Sequence, residues 1–467
     1  MWNNPSGIDR REFLRATGAG ALGLGLAGGM STVAFTESTP GVPKAKAKSL
    51  IAIATEGGFT HIDTFDPKPN APITSRSFFK PIPTNVPGIE ITEVLPLMAK
   101  LADKYSIIRS QTAPGGGHGG YTMHCNAIPP VGDPSGFGIR GVASTHPSAK
   151  LKYPAVGAVV GFKKREDGSY KGDIPPWVCI PSRVGEATNG FLPLEYQAFW
   201  LGDPNNKGFR GPGVVGSAAE EKQIARRRDL LQAVGAKPKE KPEAFKTADA
   251  LRDAAFRYMT GDAKKAFDIS QEKDSLRDRY GRDYYGQSCL LARRMAEYGV
   301  PCTSVTFSSV GDACWHMHGP LIRWLKLMGS MLDRAVSALI EDLAERGMLE
   351  HTIVVLFSEM GLSPFWEPKP KTYPGEFDGG RNHWNACFST VVAGGGFKGG
   401  KVVGESDEIG AYIKTRPVYP WDLWESVYQL MGIDPNGRLP NPSGCVAYVS
   451  AANACGWPRG GILKEIM

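Results

Sequence analysis

The chain predicts an α/β fold, a doubly wound and mostly parallel sheet with helices on both faces, and three observations lead there. Short apolar runs such as "SLIAIAT" (49–55), "CTSVTFSS" (302–309) and "HTIVVLFSE" (351–359) read as strands buried on both sides. They alternate with long stretches of helical periodicity, the order expected of a parallel sheet with crossover helices. Clusters of His, Asp and Glu follow the strands, at the end where open α/β sheets hold their ligands.

Taken in order, "SLIAIAT" is the first strand, and Gly57-Gly58 closes it. "ITEVLPLMAKLADKY" (91–105) predicts a helix, and "SIIRS" (106–110) and "WVCIP" (177–181) predict two further strands. Residues 185–250 are rich in Gly, Pro, Asn and charge, and read as an irregular, peripheral insertion carrying one basic helix, "IARRRDLL" (224–231). Residues 272–299 predict one long helix ending near Gly299, and residues 321–347 another, ending at Gly347. "CFSTVVAGGG" (387–396) is the last sheet strand. No internal repeat is visible. Residues 41–467 therefore read as a single domain.

Composition narrows the function classes. Hydrophobic residues make up 42% and charged residues 22%, which is ordinary for a globular chain. The net charge of +7 is spread among acidic residues, so the basic helix reads as a solvated face and no nucleic-acid stripe is expected. Eight cysteines without a CxxC pair argue against a zinc ribbon or a disulfide scaffold, although Cys445 and Cys455 are close enough in sequence to pair. In residues 1–40, "DRREFLRATGAGALGLGLAGG" places Arg10-Arg11 ahead of Phe13-Leu14 and a short Gly/Ala-rich run, the layout of a twin-arginine export signal. The run is too short and too glycine-rich to span a bilayer. The expected location is the periplasm or cell exterior, with the twin-arginine machinery as a transient partner and no membrane anchor once the signal is removed.

The chemistry concentrates in "DACWHMHGP" (312–320). Only eight histidines occur in 467 residues, and two of them, His316 and His318, lie two apart at a strand end. On an extended segment they point to one side and can reach one metal together. Imidazole favours zinc, iron, copper or nickel over magnesium or calcium. Asp63 or Asp66, Glu359 and His383 are the partners to expect. Each also has a structural alternative: Asp63 and Asp66 suit turns, Glu359 suits a pair with Arg381, and His383 suits a packed loop. His118, in a glycine run before an expected helix, is placed to contact an anionic substrate. His124 and His351 read as structural, and His61 is open. Thr112 and Thr122 are weak nucleophile candidates, which leaves metal-activated water as the simpler choice. "CIPSR" (179–183) matches the C-x-P-S-R core of formylglycine sulfatases, but its setting, late in the chain and before a poor helix, does not fit that motif.

The segments "KSLIAIATEGGFTHIDTFDPKP", "SCLLARRMAEYGV", "MLDRAVSALIEDLAERGML", "TIVVLFSEMGLSP", "GGRNHW" and "VVAGGGFKGGKVVGESDEIGA" together resemble the exported "domain of unknown function 1501" family, sulfatase-like proteins of the alkaline phosphatase superfamily. The resemblance implies a three-layer α/β/α sandwich with its site at strand ends. It also implies a metal-dependent hydrolase of phosphate or sulfate esters, acting on a small-molecule or polysaccharide ester. Asp63, His316, His318, Glu359 and His383 would be metal ligands, His118 a substrate contact, and zinc, iron or manganese the ion. Three positions depart from the family pattern: His316 replaces an aspartate, Leu362 an arginine and Asn382 an aspartate. The loss of two carboxylates weakens hard-cation binding, and the loss of an arginine removes a bidentate anion partner. The departures support a second expectation, a protein that binds no metal and serves as a binding or assembly partner in the periplasm.

Overall fold

A computed structural model describes residues 44–113, 153–182, 188–214, 217–235, 243–261, 263–368, 379–442, 444, 446–455 and 458–467. Nine strands form the main sheet: β1 (Ser49–Phe59), β2 (Tyr105–Gln111), β3 (Trp177–Ile180), β4 (Phe199–Trp200), β5 (Cys302–Phe307), β6 (Thr352–Leu362), β7 (His383–Trp384), β8 (Phe388–Ala393) and β9 (Lys401–Val403). Their order is β9-β2-β8-β6-β1-β5-β3-β4, with β7 hydrogen-bonded to β6. Strands β6, β1, β5, β3 and β4 are mutually parallel, so their carboxyl ends share one rim of the sheet. Strand β8 runs antiparallel to both of its neighbours, and the short β7 antiparallel to β6.

Among the described residues, seven helices of seven residues or more accompany the sheet: α1 (Val156–Glu166), α2 (Ala218–Gly235), α3 (Glu243–Thr260), α4 (Asp274–Tyr280), α5 (Tyr284–Glu297), α6 (Leu321–Glu345) and α7 (Pro420–Leu430). Strand alternation separates two cores. Ile51 and Ile53 of β1, with Val354 and Leu356 of β6, pack with apolar residues of α5 and α6. Leu50, Ala52 and Ala54, with Ile353, Val355 and Phe357, pack on the opposite face with α1 and α7. Side chains two apart on a strand share a face, so the continuous apolar runs supply both cores at once. The result is a three-layer sandwich with a mostly parallel sheet.

Two expected helices are broken. Residues 91–105 contain only the one-turn helix Pro96–Ala99 and a 3-10 turn, Ala102–Lys104. Their first residues instead pair as Glu90–Thr92 with Pro81–Pro83. The Asp333 carboxylate of α6 accepts from the backbone N–H groups of Leu97 and Met98, which ties this segment to a neighbouring helix. Residues 272–299 split into α4 and α5 at Gly281, whose φ of +103° no helix accommodates. Asp283 then caps α5 by accepting from Gly286 N. The peripheral region is more helical than its composition suggests, since α2 and α3 each run for 18 residues. Arg226, Arg227 and Arg228 on α2 are exposed, as a solvated basic face should be.

Candidate functional site

From Ala313 to His318, beyond β5, the chain alternates between core and surface. Ala313, Trp315 and Met317 are buried, while Cys314, His316 and His318 are half-buried on the other side. The core anchors are large: the Trp315 indole N–H donates to the Tyr285 hydroxyl at 3.0 Å, and its ring lies 5.8 Å from that of Phe59. Anchoring the odd-numbered residues turns both imidazoles outward.

Two glycines let this segment reach its neighbours. Between β1 and β6 the register slips, so that Glu56 and Gly57 together face Glu359. Gly57 adopts φ +115°, and a Cβ there would meet His316 N and Nδ1 at 2.7 Å. Gly380 touches the same segment from the other side, where a Cβ would lie 2.2 Å from the Met317 carbonyl oxygen. Close backbone approach at both points requires the absence of a side chain.

The structure brings four of the expected residues together. His316 Nε2 lies 3.4 Å from Glu359 Oε1, with the carboxylate side chain only 12% exposed. His318 Nε2 lies 2.9 Å from His383 Nε2. The His316 ring is 5.5 Å from His383 and 6.2 Å from His318. His318 Nδ1 is 2.9 Å from the Arg381 carbonyl oxygen, which can only accept, so Nδ1 carries the proton and Nε2 presents its lone pair toward His383. Arg381 N in turn donates to the Met317 carbonyl at 2.9 Å, locking the two segments side by side. Among the described residues, no three His, Cys, Asp or Glu side chains already surround one metal point.

Asp63, expected as a ligand, is engaged elsewhere. It is fully buried, and Arg381 Nε donates to its Oδ2 at 2.8 Å while Arg381 Nη2 reaches Oδ1 at 3.4 Å. Thr60 and Ser77 hydroxyls donate to the same carboxylate at 2.6 and 2.9 Å. Burial raises the Asp63 carboxyl, but Arg381 and the two hydroxyls outweigh it and hold it below the usual carboxylate value. Arg381 also donates to the carbonyls of Ser363, Pro364 and Arg76, so its fork is fully used. The arginine offered above as a partner for Glu359 thus belongs to Asp63, and Glu359 meets His316.

The remaining candidates fall into place individually. The buried Asp66 accepts from the Ser406 hydroxyl and pairs with Lys68 and Arg109 at 3.2 and 3.3 Å, a structural role. His61 is fully buried and donates from Nε2 to the Gly410 carbonyl at 2.7 Å, while its Nδ1 has no hydrogen-bond partner. Thr112 donates to the Asn385 carbonyl. His351 precedes β6, at the opposite end of the strand from Glu359. His118, Thr122 and His124 lie outside the described residues, as do residues 1–40, where an export signal is expected, and the side chains of Cys445 and Cys455. Cys179 is fully buried within β3, paired in register with Ser304. A nucleophile there has no surface from which to meet an ester. Leu362 is packed into the core against Gly58, and Asn382 faces Glu367. The sequence reading missed Arg381 as the residue that joins Asp63 to His318; the adjacent "GGRNH" motif was its only signal. It also missed Glu56, exposed on the bulge that faces Glu359.

Among solved structures, the PsFucS1 sulfatase from Pseudoalteromonas sp. aligns with 86% of this chain and 72% of its own at 14% identity and a TM-score of 0.37. An alkaline phosphatase PafA mutant aligns with 91% and 99% at 9% identity and a TM-score of 0.39. The C-terminal periplasmic domain of EcEptC from Escherichia coli, in a zinc complex, aligns with 88% and 96% at 9% identity and a TM-score of 0.36. No curated protein matches the sequence. The family profile described as "Protein of unknown function (DUF1501)" matches residues 47–446, a span that includes every strand of the main sheet and all the residues gathered at its rim. The chain therefore belongs to the DUF1501 family.

Proposed function

We propose that this protein is an exported, metal-dependent hydrolase of phosphate or sulfate esters, with His316, His318, Glu359 and His383 as the groups that hold the ion. The observation that carries this reading is the meeting of His318 and His383 through their Nε2 atoms at 2.9 Å, beside the His316–Glu359 contact. The donor set fits a divalent transition ion such as zinc, iron or manganese: three imidazoles and one carboxylate, with His318 Nδ1 satisfied by a backbone carbonyl as in many metal-binding histidines. A bound ion would act as a Lewis acid and lower the pKa of water at the site. The chain's own contribution is orientation. Arg381 fixes the His318 tautomer through its carbonyl and is itself held by Asp63 through its side chain. Asp63 is better placed as that anchor than as a ligand. His118 remains the proposed substrate contact. Export by the twin-arginine route rests on residues 1–40; no helix among the described residues is long and apolar enough to cross a membrane.

The test is hydrolysis of p-nitrophenyl phosphate and p-nitrophenyl sulfate by the metal-supplemented protein. Activity should be lost on chelation, return with added ion, and fall at least about 100-fold in His318→Ala. Metal-independent activity unchanged in that variant would overturn the assignment. A second reading, a non-catalytic periplasmic binding or assembly protein on the same fold, is favoured by His316, Leu362 and Asn382 standing where the family carries two carboxylates and an arginine. A stoichiometric partner recovered with the native protein, together with no esterase activity under any ion, would select it.

A further inference from the structure

The chain that leaves β6 and the chain that enters β7 run side by side as a narrow ribbon. Glu367–Pro368 pairs antiparallel with Gly379–Gly380, and His383 and Trp384 of β7 pair with Leu362 and Gly361 of β6. Side chains alternate between the two faces of such a ribbon. Arg381 and His383 turn inward, to Asp63 and to His318. Trp366 joins them there, packed on the Phe78 ring, which lies 6.0 Å from the Arg381 guanidinium. The residues between them meet on the outer face. The Asn382 amide donates to the Glu367 carboxylate, and the Trp384 ring lies 6.3 Å from that of Phe365. An aromatic pair and an amide–carboxylate pair thus sit next to each other, behind the histidine centre.

Tyr412 adds a third ring, 5.5 Å from Trp384. The indole N–H of Trp384 donates to the Ala411 carbonyl at 2.6 Å, which fixes the ring and ties the Tyr412 loop to the ribbon. Asp407 holds that loop in turn, accepting from the backbone N–H groups of Ala411 and Tyr412 at 2.7 and 3.1 Å. Yet Phe365 is 45% exposed and Tyr412 57%. Rings held in place while facing water lose little entropy when a ligand covers them. Of the five side chains gathered here only Glu367 is charged, and Lys414, the one basic residue of the loop 407–415, is paired with Glu408 at 3.0 Å. A sulfate or phosphate group finds no cation among them. A neutral pyranose fits: its C–H face complements the negative face of an aromatic ring, and its hydroxyls complement a fixed amide and carboxylate. A protein partner fits less well. Three partly exposed rings offer roughly 300 Å², against the ~800 Å² per partner of a standard interface.

We propose that this outer face binds a neutral sugar ring of a glycan, with Phe365, Trp384 and Tyr412 against the ring and Asn382 and Glu367 on its hydroxyls. That a glycan held there carries the ester for the histidine centre rests on the function proposed above; the binding itself does not. The test measures binding of labelled cellohexaose, mannohexaose, xylohexaose and isomaltohexaose, and of an apolar octapeptide, to the full chain. At least one sugar should bind. Phe365→Ala and Tyr412→Ala, each checked for folding by circular dichroism, should weaken that binding at least about tenfold. Asn382→Ala, which leaves the rings in place, should weaken it as well. His318→Ala should leave binding unchanged while removing hydrolysis. No binding of any of the four sugars, binding that survives both ring variants, or a peptide held by the same rings more tightly than any sugar would each overturn the proposal. Sugar binding in a protein that hydrolyses no ester would support this surface and count against the histidine centre alone.

Discussion

Arg381 carries more of the site than any single ligand candidate. Its guanidinium and the Asp63 carboxylate are both fully buried, so removing one leaves the other charged and unpaired in the core. Arg381→Met is expected to cost about 3–5 kcal/mol, read from denaturant unfolding at pH 7, with Asp63→Asn restoring part of the loss in the double variant. His61 supplies a second test at this scale. Burial is the largest influence on it and moves its pKa below 6.5, against the opposing effects of Asp66 and the Gly410 carbonyl. A histidine buried in its neutral form contributes its full stability above pH 6.5. Below that, the unfolded chain takes up a proton that the folded chain refuses, and stability falls by about 1.4 kcal/mol per pH unit until the folded pKa is reached. Thermal unfolding between pH 7.5 and 5 should show this decline in the wild type and a shallower one in His61→Gln, whose amide can still donate to Gly410.

At the level of elements, the site depends on an irregularity in the sheet. The bulge at Glu56-Gly57 breaks the β1–β6 register where β1 passes the histidine segment. Gly57→Ala would force a left-handed residue against His316 N and is expected to destabilise the fold by about 1–3 kcal/mol. Esterase activity should fall more steeply than stability in that variant, because the displaced group is His316. Equal wild-type activity in a folded Gly57→Ala protein would dissociate the bulge from the site. The six longer strands and the helix at 321–345 were legible because apolar runs and 3.6-residue periodicity report burial directly, whereas the two- and three-residue strands at 199–200, 383–384 and 401–403 are too short to carry a pattern. The break at Pro96 has its signal in the sequence, since a proline starts a helix rather than continuing one, and Asp333 caps that new start; the break at Gly281 has none beyond the glycine itself, because its cause is a single φ angle. The alternation that turns His316 and His318 outward was legible from spacing alone. The exchange of partners among Asp63, Arg381, Glu359 and His316 was not: it joins residues as far as 318 positions apart, and either pairing satisfies the same charges.

For the whole molecule, five parallel strands deliver their carboxyl ends to one rim, and that rim carries Glu359, the Gly57 bulge and the two histidines of "WHMH". Parallel topology concentrates function at one end of such a sheet. The central claim is that the four side chains gathered there hold an ion. Its most direct test is elemental analysis of protein purified from its native compartment without chelator or affinity histidines, for the wild type and for the His318→Ala/His383→Ala double variant. The account predicts one to two equivalents of zinc, iron or manganese in the wild type and a loss of at least one in the variant, with both proteins folded by circular dichroism. A metal-free wild type that stays so after incubation with each ion, or a variant that retains the full complement, would contradict it.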